Sequence, residues 1–346
     1  MVSKSARAAF ALVVLGVLVL ASACGGSGQK LYLYNWTYYI PDDVIEDFER
    51  SHGVDVIVDS YSSNEEMYNK LVAGGSGYDI VVPSGDYVSI MIAEGLLKEL
   101  DLSRVPNLAN VDPSAIARIG FDPGNRYSVP FMMGAAGVSV NSSKAEGYEH
   151  SWSIFSDERL RGRMTMLDDM REVLGAALKF LGYSVNDVDP AHLEQARQVV
   201  ESWKPNLVKF DAEAFAKSFA SGEFWVVQGY AENVFLEYDE ERRGEIDFFF
   251  PQEGMPMYLD SFCILSGAQN VDTAYQFIDY MLSPEIAARV SDYLMLPSPN
   301  VPARELMTVT PNYSFDDLAA GEFKEDLGLE GLKLYNKVWR QIRVGN

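Results

Sequence analysis

The residues of this sequence whose types and spacing could do chemistry include two acids at the start of a predicted helix. Asp169 and Glu172 lie three residues apart, directly after the apolar segment 164–167. This spacing is typical of a capping box, with Asp169 as the cap and Glu172 at the third helical position. Carboxylates at the positive end of a helix also stay ionised and fixed, which suits a strongly hydrated ammonium group. The spacing therefore predicts a structural cap that is also able to bind a cation.

Two further carboxylates stand beside aromatic or hydroxyl side chains. Tyr258 and Asp260 alternate in a predicted strand, so they share one face. An aromatic ring beside a carboxylate can hold an alkylammonium ion by a cation–π contact and an ionic hydrogen bond. Ser84 and Asp86 lie in a predicted strand-to-helix turn. A structural aspartate near a core tyrosine, and an ordinary helix cap, are the alternatives for these two pairs.

Aromatic side chains follow the first predicted strand. Trp36, Thr37, Tyr38 and Tyr39 come directly after the alternating segment 31–35. Ligands of open α/β sheets bind beyond the carboxyl ends of strands. In a chain with a formal net charge of −22, this cluster indicates a slot for an apolar cation. The alternative is that Trp36 and Tyr39 are core residues.

The sequence argues against several kinds of reactive site. His52, His150 and His192 are scattered, so an imidazole-based zinc or copper site is not indicated, and no metal or other cofactor is predicted. Tyrosine and carboxylate ligands leave ferric iron open as a cargo. A Gly-x-Ser-x-Gly sequence is absent, and acidic pairs are so common here that they support a carboxylate-dependent hydrolase only weakly.

The N-terminus has the pattern of an export signal. Two basic residues precede the apolar run 10–20, which is too short for a transmembrane helix, and small residues follow it. Cys24 comes next, and the pattern resembles a bacterial lipoprotein signal. We expect residues 1–23 to be removed, Cys24 to carry lipid and residues 24–28 to form a tether. Plain cleavage after residue 23 is the alternative.

Charge and cysteine content narrow the class of protein further. Residues 1–23 carry two positive charges and no negative ones, so their removal takes the formal charge from −22 to −24. Such an acidic chain argues against a nucleic-acid partner. Cys263 lies in an apolar segment and is predicted to be a buried small hydrophobe, without an intramolecular disulfide.

Strand and helix signals alternate along the chain. Apolar alternation predicts strands at 31–35, 54–58 and 78–82, with helical spacing between them at 42–51 and 63–73. This order predicts a parallel sheet with helices on both faces. The pattern restarts at 136–141 and continues in a second unit. Its further elements are predicted helices at 169–181, 190–203, 273–282, 284–294 and 329–343, and predicted strands at 223–228, 246–250 and 259–265.

Five segments in one order resemble a known family. Together they resemble the polyamine-binding proteins of bacterial ABC importers, the spermidine/putrescine-binding group. The segments are 31–37, 78–84, 168–173, 258–261 and 296–300. The resemblance implies an α/β, two-lobed periplasmic-binding-protein (Venus-flytrap) fold with discontinuous lobes and a ligand cleft between them. Lobe 1 would comprise 29–134 and 259–303, and lobe 2 would comprise 135–258 and 304–346.

The resemblance also implies a role for individual residues. Trp36 and Tyr39 would flank the methylene chain of the ligand. Asp169 and Glu172 would bind one ammonium group, and Asp260 would hold an amine. The full set of implied ligand-binding residues is Trp36, Thr37, Tyr38, Tyr39, Ser84, Asp86, Asp169, Glu172, Val227, Gln228, Tyr258 and Asp260.

Several positions depart from the family pattern. Tyr38 stands where spermidine binders often have Glu, and Asp86 stands where they often have Tyr. Tyr258 and Val227 replace tryptophans. Lys324 falls near a position that is often Gln, and a lysine there would oppose a terminal ammonium group. These departures leave the preference between a diamine and a triamine open.

The function implied by the resemblance is capture without catalysis. The protein would bind putrescine or spermidine and deliver it to the permease subunits of an ABC transporter. It would be extracytoplasmic, anchored to the inner membrane by lipid on Cys24, and would face the periplasm. The alternatives are a binder of the same fold for ferric iron or thiamine, a secreted carboxylate-dependent hydrolase, or a lipoprotein adhesin.

Overall fold

The computed structural model describes residues 28–75, 77–117 and 119–344. The predicted signal peptide and Cys24 lie outside the described residues. Among the residues it describes, no helix combines the length and hydrophobicity needed to cross a bilayer.

The described elements alternate between strands and helices along much of the chain. The strands are β1 (Gln29–Trp36), β2 (Val54–Tyr61), β3 (Ile80–Val81), β4 (Val129–Ala135), β5 (Gly137–Asn141), β6 (Met164–Met166), β7 (Leu207–Phe210), β8 (Val226–Gly229), β9 (Ile246–Phe249), β10 (Pro256–Ile264) and β11 (Glu322–Phe323). The α-helices are α1 (Asp42–His52), α2 (Asn64–Val72), α3 (Gly85–Ala93), α4 (Pro113–Ile116), α5 (Met170–Phe180), α6 (Pro190–Trp203), α7 (Phe215–Ala220), α8 (Ala231–Glu237), α9 (Val271–Met281), α10 (Pro284–Leu294) and α11 (Gly328–Val344).

The first sheet has the strand order β11-β10-β3-β1-β2, and β4 also pairs with β10. β1 runs parallel to β2 and to β3, as the alternation of strands and helices predicts. Leu31 and Leu33 of β1 are fully buried. Because parallel neighbours end at the same edge, Trp36 at the end of β1 lies opposite Tyr61 at the end of β2. The turn with Ser84, which follows β3, reaches the same edge of the sheet.

The second sheet has the order β7-β6-β8-β5-β9. β6 is parallel to β7 and β8, whereas β5 is antiparallel to β8 and β9. The helix α5 follows β6 closely, and almost every side chain in it is buried. The two sheets confirm the predicted α/β class. They are mixed sheets, so the expectation of a parallel sheet holds only for part of each.

The chain passes from the first sheet to the second between two consecutive strands. β4 ends at Ala135 and β5 begins at Gly137, yet the two strands belong to different sheets. β10 later pairs antiparallel with β4, from Met257 opposite Ala135 to Phe262 opposite Val129. The predicted boundary between residues 258 and 259 falls inside β10. The residue limits of the two lobes stay a prediction.

The buried hydrophobic residues form clusters that join strands to helices. The largest cluster joins Leu31 and Leu33 of β1 with Val173 and Leu174 of α5. Cys263 is a free, buried cysteine in a second cluster, which agrees with the prediction of a small core hydrophobe.

Gly134 offers a test of how tightly the paired strands pack. A Cβ atom at Gly134 would lie 2.5 Å from the hydroxyl oxygens of both Tyr258 and Tyr313. We therefore expect Gly134→Ala to lower the free energy of unfolding by about 1–3 kcal/mol, because overpacking forces both rings to move. Urea unfolding measures the change. The control Gly267→Ala places its Cβ in open space, so its change should stay within about 0.5 kcal/mol. Equal losses in both variants would contradict the prediction.

Candidate functional site

A cavity of about 570 Å³ lies between elements of the two sheets. The first sheet and its loops contribute aromatic and hydroxyl side chains and the acid Asp260, and the second contributes Asp169 and Glu232 at the starts of helices. The lining includes Trp36, Thr37, Tyr38, Tyr39, Tyr61, Asn64, Ser84, Asp169, Phe215, Lys217, Tyr230, Glu232, Glu237, Tyr258, Asp260 and Lys324. Eight of the predicted ligand-binding residues are therefore brought together: Trp36, Thr37, Tyr38, Tyr39, Ser84, Asp169, Tyr258 and Asp260.

Asp260 is the most constrained acid of the cavity. It lies in β10 with 4 % of its surface exposed. The Tyr39 hydroxyl donates to its Oδ2 (2.7 Å), and the Ser84 hydroxyl donates to its Oδ1 (2.6 Å). Asn64 holds Ser84 in turn through its Nδ2, which donates to Ser84 Oγ (3.1 Å). Burial raises the pKa of Asp260 to about 7, although the hydrogen bonds from Ser84 and Tyr39 oppose this rise.

One wall of the cavity is aromatic and rigid. Trp36 Nε1 and the Tyr61 hydroxyl both donate to the carbonyl oxygen of Val82, at 2.8 and 2.6 Å. The Trp36 and Tyr61 ring centres are 4.6 Å apart. The Tyr39 ring packs edge-on against Phe131, with 5.6 Å between the centres. Trp36 and Tyr39 thus contribute both to packing and to the cavity surface, so the two interpretations of this cluster are compatible.

Thr37 and Tyr38 lie at the mouth of the cavity. The Thr37 hydroxyl donates to the carbonyl oxygen of Tyr61 (3.3 Å). Tyr38 is 58 % exposed and has a positive φ of 60°, a left-handed conformation that is uncommon outside glycine. Both residues are exposed, unlike Tyr39 behind them.

Glu232 is a deep acid of the cavity that the sequence motifs do not include. It lies in the first turn of α8 and is 7 % exposed. Its Oε1 accepts a hydrogen bond from the Tyr258 hydroxyl (3.3 Å), while Oε2 has no partner among the described residues. Burial raises the pKa of Glu232 to about 7. Its position just beyond the carboxyl end of β8, where ligands of α/β sheets bind, is the feature of the sequence that indicates Glu232 as a site residue.

Asp169 caps α5 as predicted. Its Oδ1 accepts hydrogen bonds from the backbone N–H groups of Arg171 (2.8 Å) and Glu172 (3.0 Å). The reciprocal half of the capping box does not form, because the Glu172 carboxylate turns to a different partner. The Lys324 ammonium lies 2.7 Å from Glu172 Oε1, and the Tyr230 hydroxyl lies 3.4 Å from the same atom.

Four predicted ligand-binding residues lie outside the cavity lining. Glu172 is fully buried behind Lys324, and Asp86 is buried beside Arg171, 3.6 Å from its guanidinium. Val227 and Gln228 in β8 are fully buried as well. The Val227 side chain packs in an apolar cluster, and Gln228 Nε2 donates to the backbone carbonyl of Glu172 (3.1 Å). Direct contact between these four side chains and a ligand in this cavity is therefore not supported.

The arrangement is suited to holding an elongated cation. Aromatic rings line one side, and the buried acids Asp260 and Glu232 provide anionic acceptors. In residues 28–75, 77–117 and 119–344, no group of three or more His, Cys, Asp or Glu side chains is arranged to hold a metal ion.

Residues 43–316 match the profile of a family described as bacterial extracellular solute-binding protein. This match covers more than half of the sequence, so the chain belongs to that family.

Individual relatives agree with this assignment. The chain is 34 % identical to a putrescine/cadaverine-binding protein of Pseudomonas aeruginosa, over 96 % of this chain and 99 % of the relative. It is 32 % identical to a spermidine/putrescine-binding periplasmic protein of Escherichia coli, over 96 % and 98 % of the two chains. The resemblance to the polyamine-binding group is thereby confirmed.

Solved structures support the fold. The crystal structure of the Tp0655 (TpPotD) lipoprotein of Treponema pallidum is similar, with a TM-score of 0.87 and 48 % identity, over 91 % of this chain and 99 % of that one. A putative spermidine/putrescine ABC transporter protein from Listeria monocytogenes has a TM-score of 0.85 and 31 % identity, over 92 % and 100 % of the chains. The predicted two-lobed periplasmic-binding-protein fold is confirmed.

The raised pKa of Asp260 has a testable effect on stability. Between about pH 4 and pH 7 the folded protein holds a proton on Asp260 that the unfolded chain releases, so this carboxyl makes folding less favourable as pH rises. The free energy of unfolding of the wild type should fall between about pH 5 and pH 8. We expect this fall to be smaller in Asp260→Asn, by roughly 2 kcal/mol or more. Urea unfolding at each pH, without ligand, measures this. The exposed control Asp55→Asn should keep the wild-type slope; an unchanged slope in Asp260→Asn would contradict the prediction.

Proposed function

We propose that this protein is an extracytoplasmic receptor that captures a linear polyamine, putrescine or spermidine, and delivers it to an ABC permease. The observation that carries the proposal is the buried Asp260 carboxylate, held between two hydroxyl donors in an aromatic-walled cavity. The names of the relatives support the same ligand class. Binding alone, without a catalysed reaction, is the proposed activity.

Each part of a polyamine has a counterpart in the cavity. Burying its methylene chain against Trp36 and Tyr39 contributes about 0.8 kcal/mol per CH₂ group. An ammonium group on Asp260 or Glu232 forms a charge-assisted hydrogen bond, worth roughly 1.5–3 kcal/mol. A neutral ligand leaves these buried acids without a cation, and an anion meets them as like charges. The cavity therefore favours cations with an apolar spacer.

We propose that the ligand stabilises closure of the two lobes. The proposed lobes, 29–134 with 259–303 and 135–258 with 304–346, both contribute to the cavity lining. A ligand held by Asp260 from one lobe and by Glu232 from the other binds the closed form better than the open form, and this differential affinity shifts the equilibrium towards closure.

The other functions left open by the sequence have less support. The relatives are solute-binding proteins, which does not favour a hydrolase. Their names concern polyamines, which favours these over thiamine or ferric iron.

Titration calorimetry on the unlipidated chain, refolded to remove bound ligand, tests the function. We expect one-to-one binding of putrescine or spermidine, and no binding of 1,4-butanediol or glutamate. Asp260→Ala should weaken binding by roughly a hundredfold or more, because it removes a buried ionic partner. The control Asp55→Ala removes an exposed aspartate that pairs with Lys30, and should change affinity by less than about threefold. Absence of heat with every polyamine would refute the proposal.

We propose that Cys24 carries the lipid that anchors the receptor to the inner membrane. Expressed with its signal in a bacterium, the wild type should incorporate radiolabelled palmitate and partition into a detergent phase, whereas Cys24→Ser should do neither. Cys263→Ser is the matched control and should label like the wild type, because Cys263 is buried in the fold. Equal labelling of Cys24→Ser and the wild type would contradict lipidation at this residue.

A further inference from the structure

We propose that Lys324 makes the cavity select diamines over triamines, by occupying with its own ammonium the place of a third ligand ammonium. This inference rests on the proposed function, since it concerns which member of the polyamine class the same cavity takes.

Lys324 is held firmly in position. It directly follows β11, whose residues pair with β10 at Pro256 and Met257. The backbone N–H of Lys324 continues this pairing and donates to the carbonyl oxygen of Met257 (3.1 Å). β10 is also the strand that carries Asp260. The lysine therefore has a fixed position relative to the acid that we propose as the main ligand contact.

The ammonium group of Lys324 lies at the cavity surface and pairs with the buried acid Glu172 behind it. Its Nζ lies 2.7 Å from Glu172 Oε1, and the two side chains are 6 % and 1 % exposed. Burial alone would favour the neutral amine, but Glu172, Asp169 and Asp86 together outweigh it and raise the pKa of Lys324. Lys324 therefore remains an ammonium ion on a four-carbon chain. This side chain has the same chemical groups as one end of a polyamine.

The remaining deep acids match two ammonium groups. Asp260 accepts hydrogen bonds from two hydroxyls, and Glu232 accepts one. Neither forms an ion pair with a lysine or arginine of the described residues. A diamine can place one ammonium at each of these acids. The third ammonium of spermidine would have to lie near the like charge of Lys324 or outside the acidic part of the cavity.

A second lysine in the lining provides a matched control. Lys217 lies 3.8 Å from Glu237, and its side chain is 61 % exposed. Water and salt screen its charge, so removal of Lys217 should affect ligands of different charge almost equally. A change in ligand preference that follows removal of Lys324 but not of Lys217 comes from the position of Lys324 beside Glu172. Equal changes would come from the overall electrostatic potential of the cavity.

The test compares the dissociation constants of putrescine and spermidine for the wild type, Lys324→Gln and Lys217→Gln by titration calorimetry. We expect the wild type to prefer putrescine. In Lys324→Gln the ratio of the spermidine constant to the putrescine constant should fall by roughly tenfold or more, because the like charge is removed and the negative charge of Glu172 is no longer neutralised by a lysine. In Lys217→Gln the ratio should change by less than about threefold. An unchanged ratio in Lys324→Gln, or equal changes in the two variants, would overturn the inference.

A second measurement needs no variant and decides the question if Lys324→Gln fails to fold. N-butylputrescine has the length of spermidine, with a methyl group in place of the terminal amine. If charge excludes the triamine, the wild type should bind N-butylputrescine roughly tenfold or more tightly than spermidine. Equal affinities would mean that length sets the preference, which would refute the role of Lys324. Binding of putrescine to the wild type is the separate test of the proposed function, so failure of the two can be distinguished.

Discussion

The buried carboxylate of Asp260 is the group on which the rest of the site depends. A charge with 4 % exposure is costly unless its neighbours replace water, and the structure surrounds it with the hydroxyls of Tyr39 and Ser84. These donors offset only part of the cost, since burial still raises the pKa of Asp260 to about 7. A cation in the cavity would provide what the hydroxyls cannot. A bound cation would therefore stabilise the ionised carboxylate further.

The topology of the first sheet explains why these groups meet. β1 and β3 are parallel, so the residues after each strand, Tyr39 and Ser84, arrive at the same edge. β10 is antiparallel to β3 and crosses that edge, which brings Asp260 opposite Ser84. The pairing of β10 with β4 ties this edge to the point where the chain passes to the second sheet.

Sequence reasoning was most successful where the information is local. The bounds of α6 and α10 agree with the predicted helices 190–203 and 284–294, because a proline in the first turn and the apolar spacing define them. It placed Val227 and Gln228 in the site, whereas both lie fully buried outside the cavity lining, because their burial depends on how β8 packs rather than on their own residue types. The bond between Lys324 and Glu172 joins residues 152 positions apart, which local patterns cannot reveal. The antiparallel pairing of β4 with β10 was missed for the same reason.

The two deep acids link the binding of a cation to the release of protons. With pKa values raised to about 7 by burial, Asp260 and Glu232 are each partly protonated at neutral pH in the empty cavity. In the proposed complex an ammonium group docks on the ionised form of each carboxylate, so any proton on that carboxylate leaves as the ligand enters. Capture is then in part an exchange of protons for ammonium ions. The charge that enters the cavity is smaller than the charge of the ligand, and the heat released on binding depends on the buffer that accepts the protons.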